Sequence, residues 1–412
     1  MTDVRLRRGR ASLALSFCAQ GIAFALLVTR IPAIQDQYGI SDGLLPAFLA
    51  GVPILAGVGS VTTEHLVKRV APSVALRWVQ PLVLLALLGV AAGDRMWQAA
   101  VSLAVFGLAV GGLDACMNML AISLQRAYGR SIILGFHAAF SLGGIVGASL
   151  AWVGAHWDLS LVVSYLPVVL VLLPLCLVGS RWYVDGEAAV APEVASDGSE
   201  RSEGSESDAA GGKPVAFRLL LPLCLVMAFA YIGDSTVSNW SAKYLQDVLG
   251  SSEQLSTVPY NVYMVTTLLG RAAGDHGVRR FGAVAVVRAG AVLASAGFAV
   301  VAVAPGPWVG MLGFTMLGFG LCVIVPQTYA AAGRLFPHAS DAAIARLNVF
   351  NYVGYLFGSP LVGGVGGAWS YRGAMLIPMV LVLLTLVYAR SFGAEGARYG
   401  GGHERPRTVD VG

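Results

Sequence analysis

Charged side chains are scarce in this sequence. Only 12% of its 412 residues are Asp, Glu, Lys or Arg, and just three are lysine, whereas typical soluble domains have about 25% charged residues. So few charges cannot cover a water-exposed surface of this size, which excludes a soluble enzyme and argues against nucleic-acid binding despite the net charge of +4. The five cysteines lie scattered in apolar runs, without a CxxC or His/Cys cluster, so neither a disulfide framework nor a metal site is expected.

Long apolar runs take up most of the chain. Twelve of them are about 20 residues long, which is enough to cross the ~30 Å hydrocarbon core of a bilayer as helices. The 51 glycines are typical of helices that pack closely inside a membrane. We therefore predict an all-α membrane protein with twelve transmembrane helices, called span 1 to span 12: 11–33, 44–66, 73–93, 98–123, 131–153, 159–180, 218–243, 254–273, 283–304, 308–332, 343–364 and 371–391.

The basic residues predict the orientation. If both termini lie in the cytoplasm, all but four of the 27 Lys and Arg residues fall on or near that side. The exceptions are Arg30, Arg95, Lys243 and Arg372, and Arg30 is expected to extend to the lipid headgroups. Because basic residues are enriched in cytoplasmic loops, we predict cytoplasmic N- and C-termini and a multi-pass protein of the cell membrane.

Composition divides the chain into two halves. Residues 1–180 and 215–392 each hold six spans, and 393–412 form a predicted cytoplasmic tail. Residues 181–214 are rich in Ala, Ser, Gly and acidic residues and cannot bury a core. We predict a disordered acidic cytoplasmic linker there, with a docking segment as the alternative.

The two halves also match each other at a constant offset of 211 residues. The matched pairs include Gly39 with Gly250, Glu64 with Asp275, Arg69 with Arg280, Gly143 with Gly354, and Gly147 with Gly358. Since each half has an even number of spans, the two repeats face the same way in the bilayer. Parallel repeats of this kind are typical of secondary transporters whose substrate site lies between two halves.

Polar residues separate the spans into classes. Spans 3, 6, 9 and 12 are almost purely apolar and are predicted to face lipid. Spans 1, 4, 7 and 10 carry polar residues that are costly in lipid and so should line a water-filled cavity, and spans 5, 8 and 11 add more where the halves meet. The candidate substrate-binding residues are Gln20, Asn118, Ser235, Asn239, Asn261, Gln327, Asn348, Asn351 and Tyr355. Those of span 11 favour sugar or polyol recognition and interhelical hydrogen bonding equally.

Three titratable side chains inside the spans are candidates for proton coupling: Asp114, His137 and Asp234. Asp114 and Asn118 lie one helical turn apart, and His137 is expected at the depth of Asn118, so a carboxylate, an amide and an imidazole would meet. Carboxyl and imidazole groups can bind and release protons during a transport cycle. The alternatives are a satisfied hydrogen-bond network and, for Asp234, contact with substrate.

Charged clusters recur at the cytoplasmic ends of spans 2 and 8. Glu64, Lys68 and Arg69 form the first cluster, and Asp275, Arg279 and Arg280 form the second. An acid four residues before a base is a favourable pair on a helix. We predict that the two clusters form a cytoplasmic gate, and charge that merely follows the positive-inside rule is the alternative.

The stretch from Gly270 to Gly282, with Arg271, Gly274, Asp275, Arg279 and Arg280, resembles the cytoplasmic loop motif of the major facilitator superfamily. The first-half counterpart departs from the motif at Lys68 and Ala71. Shorter matches around Asp114, His137 and Trp240 are similar to a branch of largely uncharacterised bacterial permeases, with Asn239 in place of the usual Asp. The resemblance implies the fold of this superfamily, a gate that includes Arg271, and a proton-driven carrier of small organic solutes whose cavity is lined by spans 1, 4, 7 and 10.

We therefore expect proton-coupled export of a small organic compound, such as an antibiotic or a metabolite, by alternating access. A proton-coupled uptake symporter of the sugar type is the alternative. A membrane enzyme would need a nucleophile or metal set that the sequence does not show, and a sensor would need a longer cytosolic domain. The expected partners are a small-molecule substrate, protons and the lipid bilayer, without nucleic acid or cofactor, and the protein is expected to be a monomer.

Overall fold

A computed structural model describes residues 4–40, 45–185, 217–252, 255, 258–337 and 339–393. These residues form helices and connecting segments, with no strand among them. Nine helical segments in this part of the chain are long and apolar enough to cross a membrane. Helices also coincide with spans 2, 8 and 11, which are not among those nine, so a total of twelve crossings stays a prediction, as does the cytoplasmic placement of the termini.

The first six spans coincide with a unit of seven helices. A short helix that the sequence did not predict, α2, directly follows α1 after Arg30. The bounds are α1 (Val4–Thr29), α2 (Ile31–Tyr38), α3 (Leu45–Leu66), α4 (Pro72–Ala92), α5 (Met96–Tyr128), α6 (Ile133–His156) and α7 (Leu161–Gly179).

The second unit repeats this order, with two spans divided into shorter helices. Span 10 is interrupted after Leu321, because Pro326 lacks the N–H that would bond to the carbonyl of Cys322. The bounds are α8 (Phe217–Lys243), α9 (Val258–Phe281), α10 (Ala283–Val303), α11 (Pro307–Leu321), α12 (Ile324–Leu335), α13 (Ser340–Ala368), α14 (Tyr371–Ala374), α15 (Leu376–Leu383) and α16 (Thr385–Tyr388).

The packed part of the first unit extends beyond the predicted start of the linker at residue 181. Tyr183 and Val184 are buried, and the Asp185 carboxylate accepts hydrogen bonds from Ser73 N (3.0 Å) and Ser73 Oγ (2.5 Å) near the start of α4. This carboxylate satisfies an N–H that a helix start leaves without a partner. The rest of the predicted linker and the predicted tail from residue 394 onward lie outside the described residues.

The internal repeat is visible in the packing. Helix α1 packs along α6 as α8 packs along α13, and α4 packs along α5 as α10 packs along α11. Gly39 and Gly250, which are 211 residues apart, share the left-handed backbone region with φ values of 61° and 66°, where glycine carries no steric cost. The two units then meet along two seams, one between α3 and α13 and the other between α6 and α9.

Close helix crossings explain part of the glycine content. A Cβ atom on Gly143 of α6 would lie 2.1 Å from the carbonyl oxygen of Cys18 on α1, and one on its repeat partner Gly354 would lie 2.5 Å from that of Ala228 on α8. A Cβ on the neighbouring Gly144 would meet nothing within 4 Å. The crossing therefore requires glycine at 143 but not at 144.

We predict that Gly143→Ala destabilises the purified protein by roughly 1–3 kcal/mol, the usual range for overpacking. The added methyl group would force α1 and α6 apart at a backbone–backbone contact. Gly144→Ala on the same helix is the matched control and should leave the melting temperature in detergent unchanged or raised, since alanine favours helix formation. Equal melting temperatures for the two variants would contradict the close crossing.

Candidate functional site

Asp114, near the middle of α5, joins three helices. Its carboxylate accepts one hydrogen bond from the Gln20 amide on α1 and another from the Tyr352 hydroxyl on α13. Because α13 belongs to the second unit, this carboxylate links the two units deep in the helix bundle. Neither of the two ion pairs within the described residues involves Asp114, so it is held by neutral donors.

The expected meeting of carboxylate, amide and imidazole is not seen as direct contacts. The Asn118 amide nitrogen donates to the backbone oxygen of Asp114 (2.9 Å) on its own helix, and this takes it away from the carboxylate. The His137 ring lies against Phe17 and Tyr329, with centroid distances of 5.4 and 6.3 Å. Asn118 Oδ1 and His137 Nε2 are buried without a hydrogen-bond partner in the described part of the chain.

Asp234, the second intramembrane acid, is held within the second unit. The Tyr263 hydroxyl on α9 donates to its carboxylate at 2.5 Å. Each of the two acids thus accepts a hydrogen bond from a tyrosine hydroxyl, Asp234 from Tyr263 and Asp114 from Tyr352.

The candidate substrate residues of α8 bond mainly within their own helix. Ser235 Oγ donates to the carbonyl of Ile232 at 3.2 Å, and the Asn239 amide donates to the carbonyl of Ser235 at 2.9 Å. The Asn239 side chain is exposed. These groups lie toward the end of α8 that ends at Lys243, where Asn261 of α9 is exposed as well.

Both polar atoms of the Asn348 side chain are hydrogen-bonded, mostly to other helices. Its Oδ1 accepts from the Tyr329 hydroxyl (2.5 Å) and from Asn351 Nδ2 (3.4 Å), and its Nδ2 donates to Ser60 Oγ (3.2 Å) and to the carbonyl of Gly111 (3.4 Å). Ser60 and Gly111 belong to the first unit, so Asn348 joins the units. Of the two interpretations of these amides, interhelical bonding fits Asn348.

Gln327 of α12 differs from these residues. It is 1% exposed, and neither its amide nitrogen nor its amide oxygen has a hydrogen-bond partner among the described residues. A buried amide in that state is costly unless water or a ligand satisfies it. Gln327 is therefore the substrate-binding candidate with the most unused hydrogen-bonding capacity.

Several bonds between the units lie at one end of the molecule, where α3 ends and α13 begins. This end, between Leu66 and Ser340, is called the latched end. Glu64 Oε1 accepts from Arg346 Nε at 2.8 Å across the α3–α13 seam, and Ser60 Oγ donates to the carbonyl of Ala345. The sequence predicted a pairing of Glu64 with Lys68 on its own helix, but the structure pairs Glu64 across the seam instead.

The α6–α9 seam uses a different interaction. Asp275 of α9 accepts hydrogen bonds from Ser131 Oγ (2.6 Å), Leu134 N (3.4 Å) and Gly135 N (3.0 Å) at the start of α6. A helix N-terminus carries unsatisfied N–H groups and a partial positive charge, so an anion is stabilised there. Arg279 Nη1 adds a bond to the carbonyl of Ser131 at 2.8 Å.

Arg271 completes this seam one turn deeper on α9. Its Nη1 donates to Ser141 Oγ (2.7 Å) and to the carbonyl of His137 (3.4 Å), both on α6. Its Nε donates to the carbonyl of Cys322, which the break after α11 leaves free. Arg271, a predicted gate residue, thus forms hydrogen bonds that join the two units.

The remaining gate candidates do not contribute in this way. Lys68, Arg69 and Arg280 are exposed, and the Arg280 guanidinium lies over the ring of its neighbour Phe281. Arg126, which the sequence analysis did not assign to the gate, donates instead from α5 to the carbonyls of Gly333 and Pro337 near the end of α12. A cation there complements the negative end of the helix dipole.

Arg30 also differs from expectation. It was predicted to extend to the headgroups, but it is only 8% exposed. Its guanidinium donates to the carbonyls of Ala151 (3.4 Å) and Leu159 (2.9 Å) around the end of α6. Arg30 is therefore held against the last turns of α6 and the connection that follows it.

Comparison with known proteins shows that this chain is similar to membrane transporters. The sequence model of the Major Facilitator Superfamily matches residues 223–400. An uncharacterised MFS-type transporter of Yersinia pestis is 26% identical over 398 residues, which cover 93% of this chain and 95% of that protein. The membrane protein MosC of Rhizobium meliloti is 24% identical over 370 residues, which cover 89% of this chain and 85% of MosC.

The fold is also similar to solved transporter structures. The MFS transporter FucP in its outward conformation superimposes with a TM-score of 0.75 at 16% identity, over 93% of this chain and 98% of FucP. The proton:xylose symporter XylE gives a TM-score of 0.73 at 14% identity, over 94% and 96% of the two chains. With its apolar helices, the chain is a multi-pass protein of the bacterial plasma membrane. The sequence is similar to the major facilitator superfamily, and the curated relatives it matches come from a poorly characterised bacterial branch.

Proposed function

We propose that this protein is a proton-coupled secondary transporter that exports a small organic compound by alternating access, with Asp114 as the proton-binding residue. The observation that carries the proposal is the pair of hydrogen bonds that the Asp114 carboxylate accepts, one from Gln20 in its own unit and one from Tyr352 in the other. A proton on Asp114 therefore acts directly on a contact between the units.

Protonation changes the number of hydrogen bonds that the Asp114 carboxyl group can accept. An ionised carboxylate only accepts, and it satisfies the donors of Gln20 and Tyr352 together. Protonation converts one oxygen into a donor, so at least one of these charge-assisted bonds is lost or reversed. Protonation thus weakens the link between α5 and α13, and the equilibrium between two arrangements of the units shifts with the proton.

The latched end supports alternating access. Glu64 and Asp275 hold the two seams together at the end that the basic residues predict to be cytoplasmic. In this orientation the structure corresponds to a carrier closed toward the cytoplasm. Transport then requires the seams to separate, and because both halves of the pathway lie in one chain, we propose that a monomer suffices.

Proton-coupled uptake of a sugar-type solute is the second candidate. It is favoured by the tyrosine and amide side chains around the two acids, which suit hydroxyl groups, and by the likeness in fold to XylE, a proton:xylose symporter. The two candidates share the same proton site. A panel of compounds tested in proteoliposomes, with the pH gradient imposed in either direction, separates export from uptake.

We predict that Asp114→Asn abolishes accumulation driven by a pH gradient, with a loss of at least about tenfold, within the usual range of coupling between two sites. Counterflow exchange of the same solute should continue, because exchange needs no net proton movement. Asp158→Asn, an exposed substitution of the same type, is the control. Gradient-driven accumulation at the wild-type level in Asp114→Asn would remove Asp114 from the mechanism.

Asp234→Asn is expected to weaken solute binding. The carboxylate accepts a hydrogen bond from Tyr263, and losing a hydrogen bond to a charged group changes binding by about 1.5–3 kcal/mol, or roughly 10–100-fold in Kd. Equilibrium binding to the purified variant measures the effect. Identical dissociation constants for variant and wild type would refute a role of Asp234 in binding.

The latched end gives a conformational prediction. Glu64→Gln removes one charge from the bond to Arg346 and should raise the open fraction of this end by roughly tenfold, since such bonds contribute about 1.5–3 kcal/mol. The charge-swapped double variant Glu64→Arg with Arg346→Glu should restore closure. Lys68→Gln, at an exposed position on the connection after α3, should have no effect.

The distance between spin labels on exposed Arg69 and Leu335, which lie in opposite units, reports this opening. Longer distances are expected for Glu64→Gln, with the wild-type distribution for the double variant and for Lys68→Gln. Unchanged distances in Glu64→Gln would mean that the bond to Arg346 does not hold the end closed.

A further inference from the structure

Two pairs of residues occupy equivalent positions in the repeat but are bonded differently. Asn118 and His137 in the first unit correspond to Tyr329 and Asn348 in the second, because both pairs are related by the offset of 211. In the second unit the Tyr329 hydroxyl donates to Asn348 Oδ1 at 2.5 Å. In the second unit, a side-chain hydroxyl group therefore joins the two residues of the pair.

The first unit has no side-chain hydroxyl at either position of its pair. Asn118 is several ångströms shorter than a tyrosine, and its Nδ2 is already bonded to the carbonyl of Asp114. Asn118 is 3% and His137 is 8% exposed, yet Asn118 Oδ1 and His137 Nε2 have no hydrogen-bond partner within the described residues. The two atoms without partners belong to the two residues whose repeat counterparts are joined through a hydroxyl.

The chemistry of these atoms indicates what satisfies them. Amide oxygen accepts hydrogen bonds only, and the Nε2 of a neutral histidine accepts when Nδ1 carries the proton. Leaving both buried and unsatisfied is unfavourable, because each atom loses the hydrogen bonds that it makes to water in the unfolded chain. A single water molecule can serve both, because water donates two hydrogen bonds and commonly occupies such buried polar positions.

We propose that Asn118 Oδ1 and His137 Nε2 form a binding site for one hydroxyl group from outside the chain, which bridges α5 and α6 where the Tyr329 hydroxyl bridges α12 and α13. The resident ligand is a water molecule. A hydroxyl group of a bound solute, which has a single O–H donor, bridges the two atoms only when His137 carries its proton on Nε2, so that the hydroxyl accepts from Nε2 and donates to Asn118 Oδ1. The proposal rests on the repeat and on the two buried atoms, and it does not depend on the direction or coupling of transport.

A map of the full-length protein in lipid nanodiscs at about 2 Å resolution tests the site directly. Without added solute, we expect a density peak within hydrogen-bond distance of both Asn118 Oδ1 and His137 Nε2, which identifies water. A peak that appears only when glycerol is added would also support the site and would identify a solute hydroxyl as its ligand. A direct Asn118–His137 bond, two separate peaks, or no peak under both conditions would overturn the proposal.

Substitutions give a second test that does not rely on the map. Asn118→Tyr supplies the hydroxyl from the chain, as Tyr329 does, and should leave the melting temperature equal to or above that of the wild type. Asn118→Leu removes the acceptor and leaves His137 Nε2 without its ligand, so its melting temperature should fall by several degrees. Tyr329→Phe removes the hydroxyl of the second unit, and its melting temperature should fall by a similar amount. A melting temperature of Asn118→Tyr as low as that of Asn118→Leu would contradict the proposed bridge.

Discussion

A carboxylate in the interior of a membrane protein must be hydrogen-bonded, since lipid and apolar side chains offer no substitute for water. Asp114 meets this requirement only where α1, α5 and α13 come together, because one donor comes from Gln20 and the other from Tyr352 of the opposite unit. The solvation of one acid therefore depends on the arrangement of both units. In the proposed mechanism, this dependence allows a proton on Asp114 to change the contact between the units.

The two seams occupy equivalent positions but use different chemistry. Glu64 and Asp275 are repeat partners, and so are the positions they contact, Gly135 and Arg346. One seam is closed by an ion pair between side chains, and the other by a carboxylate at the N-terminus of α6. The duplication kept the geometry of the closure, while the residues that provide the positive partner diverged.

The sequence predicted the repeat and most of the helices, because long apolar runs and a constant offset can be read directly from the order of the residues. It did not predict partners. Lys68 lies one turn after Glu64 and satisfied a helical pairing rule, but Arg346, 282 positions later, forms the bond. Likewise, no contact was predicted for Tyr352, which donates a hydrogen bond to Asp114. Hydrogen-bond and ion-pair partners on opposite sides of a seam depend on how the two units dock. Local sequence patterns do not predict this docking.

Helix α13 connects the latched end with the central acid. Three of its residues, which span less than two helical turns, contact the first unit. Arg346 bonds to Glu64, Asn348 to Gly111, and Tyr352 to Asp114. Gly111 and Asp114 are themselves about one turn apart on α5, so α13 contacts α5 at two successive levels. A movement of α13 large enough to break the Glu64–Arg346 bond also strains the bonds to Gly111 and Asp114. In the proposed mechanism, α13 therefore couples the opening of the seam to the release of the Asp114 carboxylate.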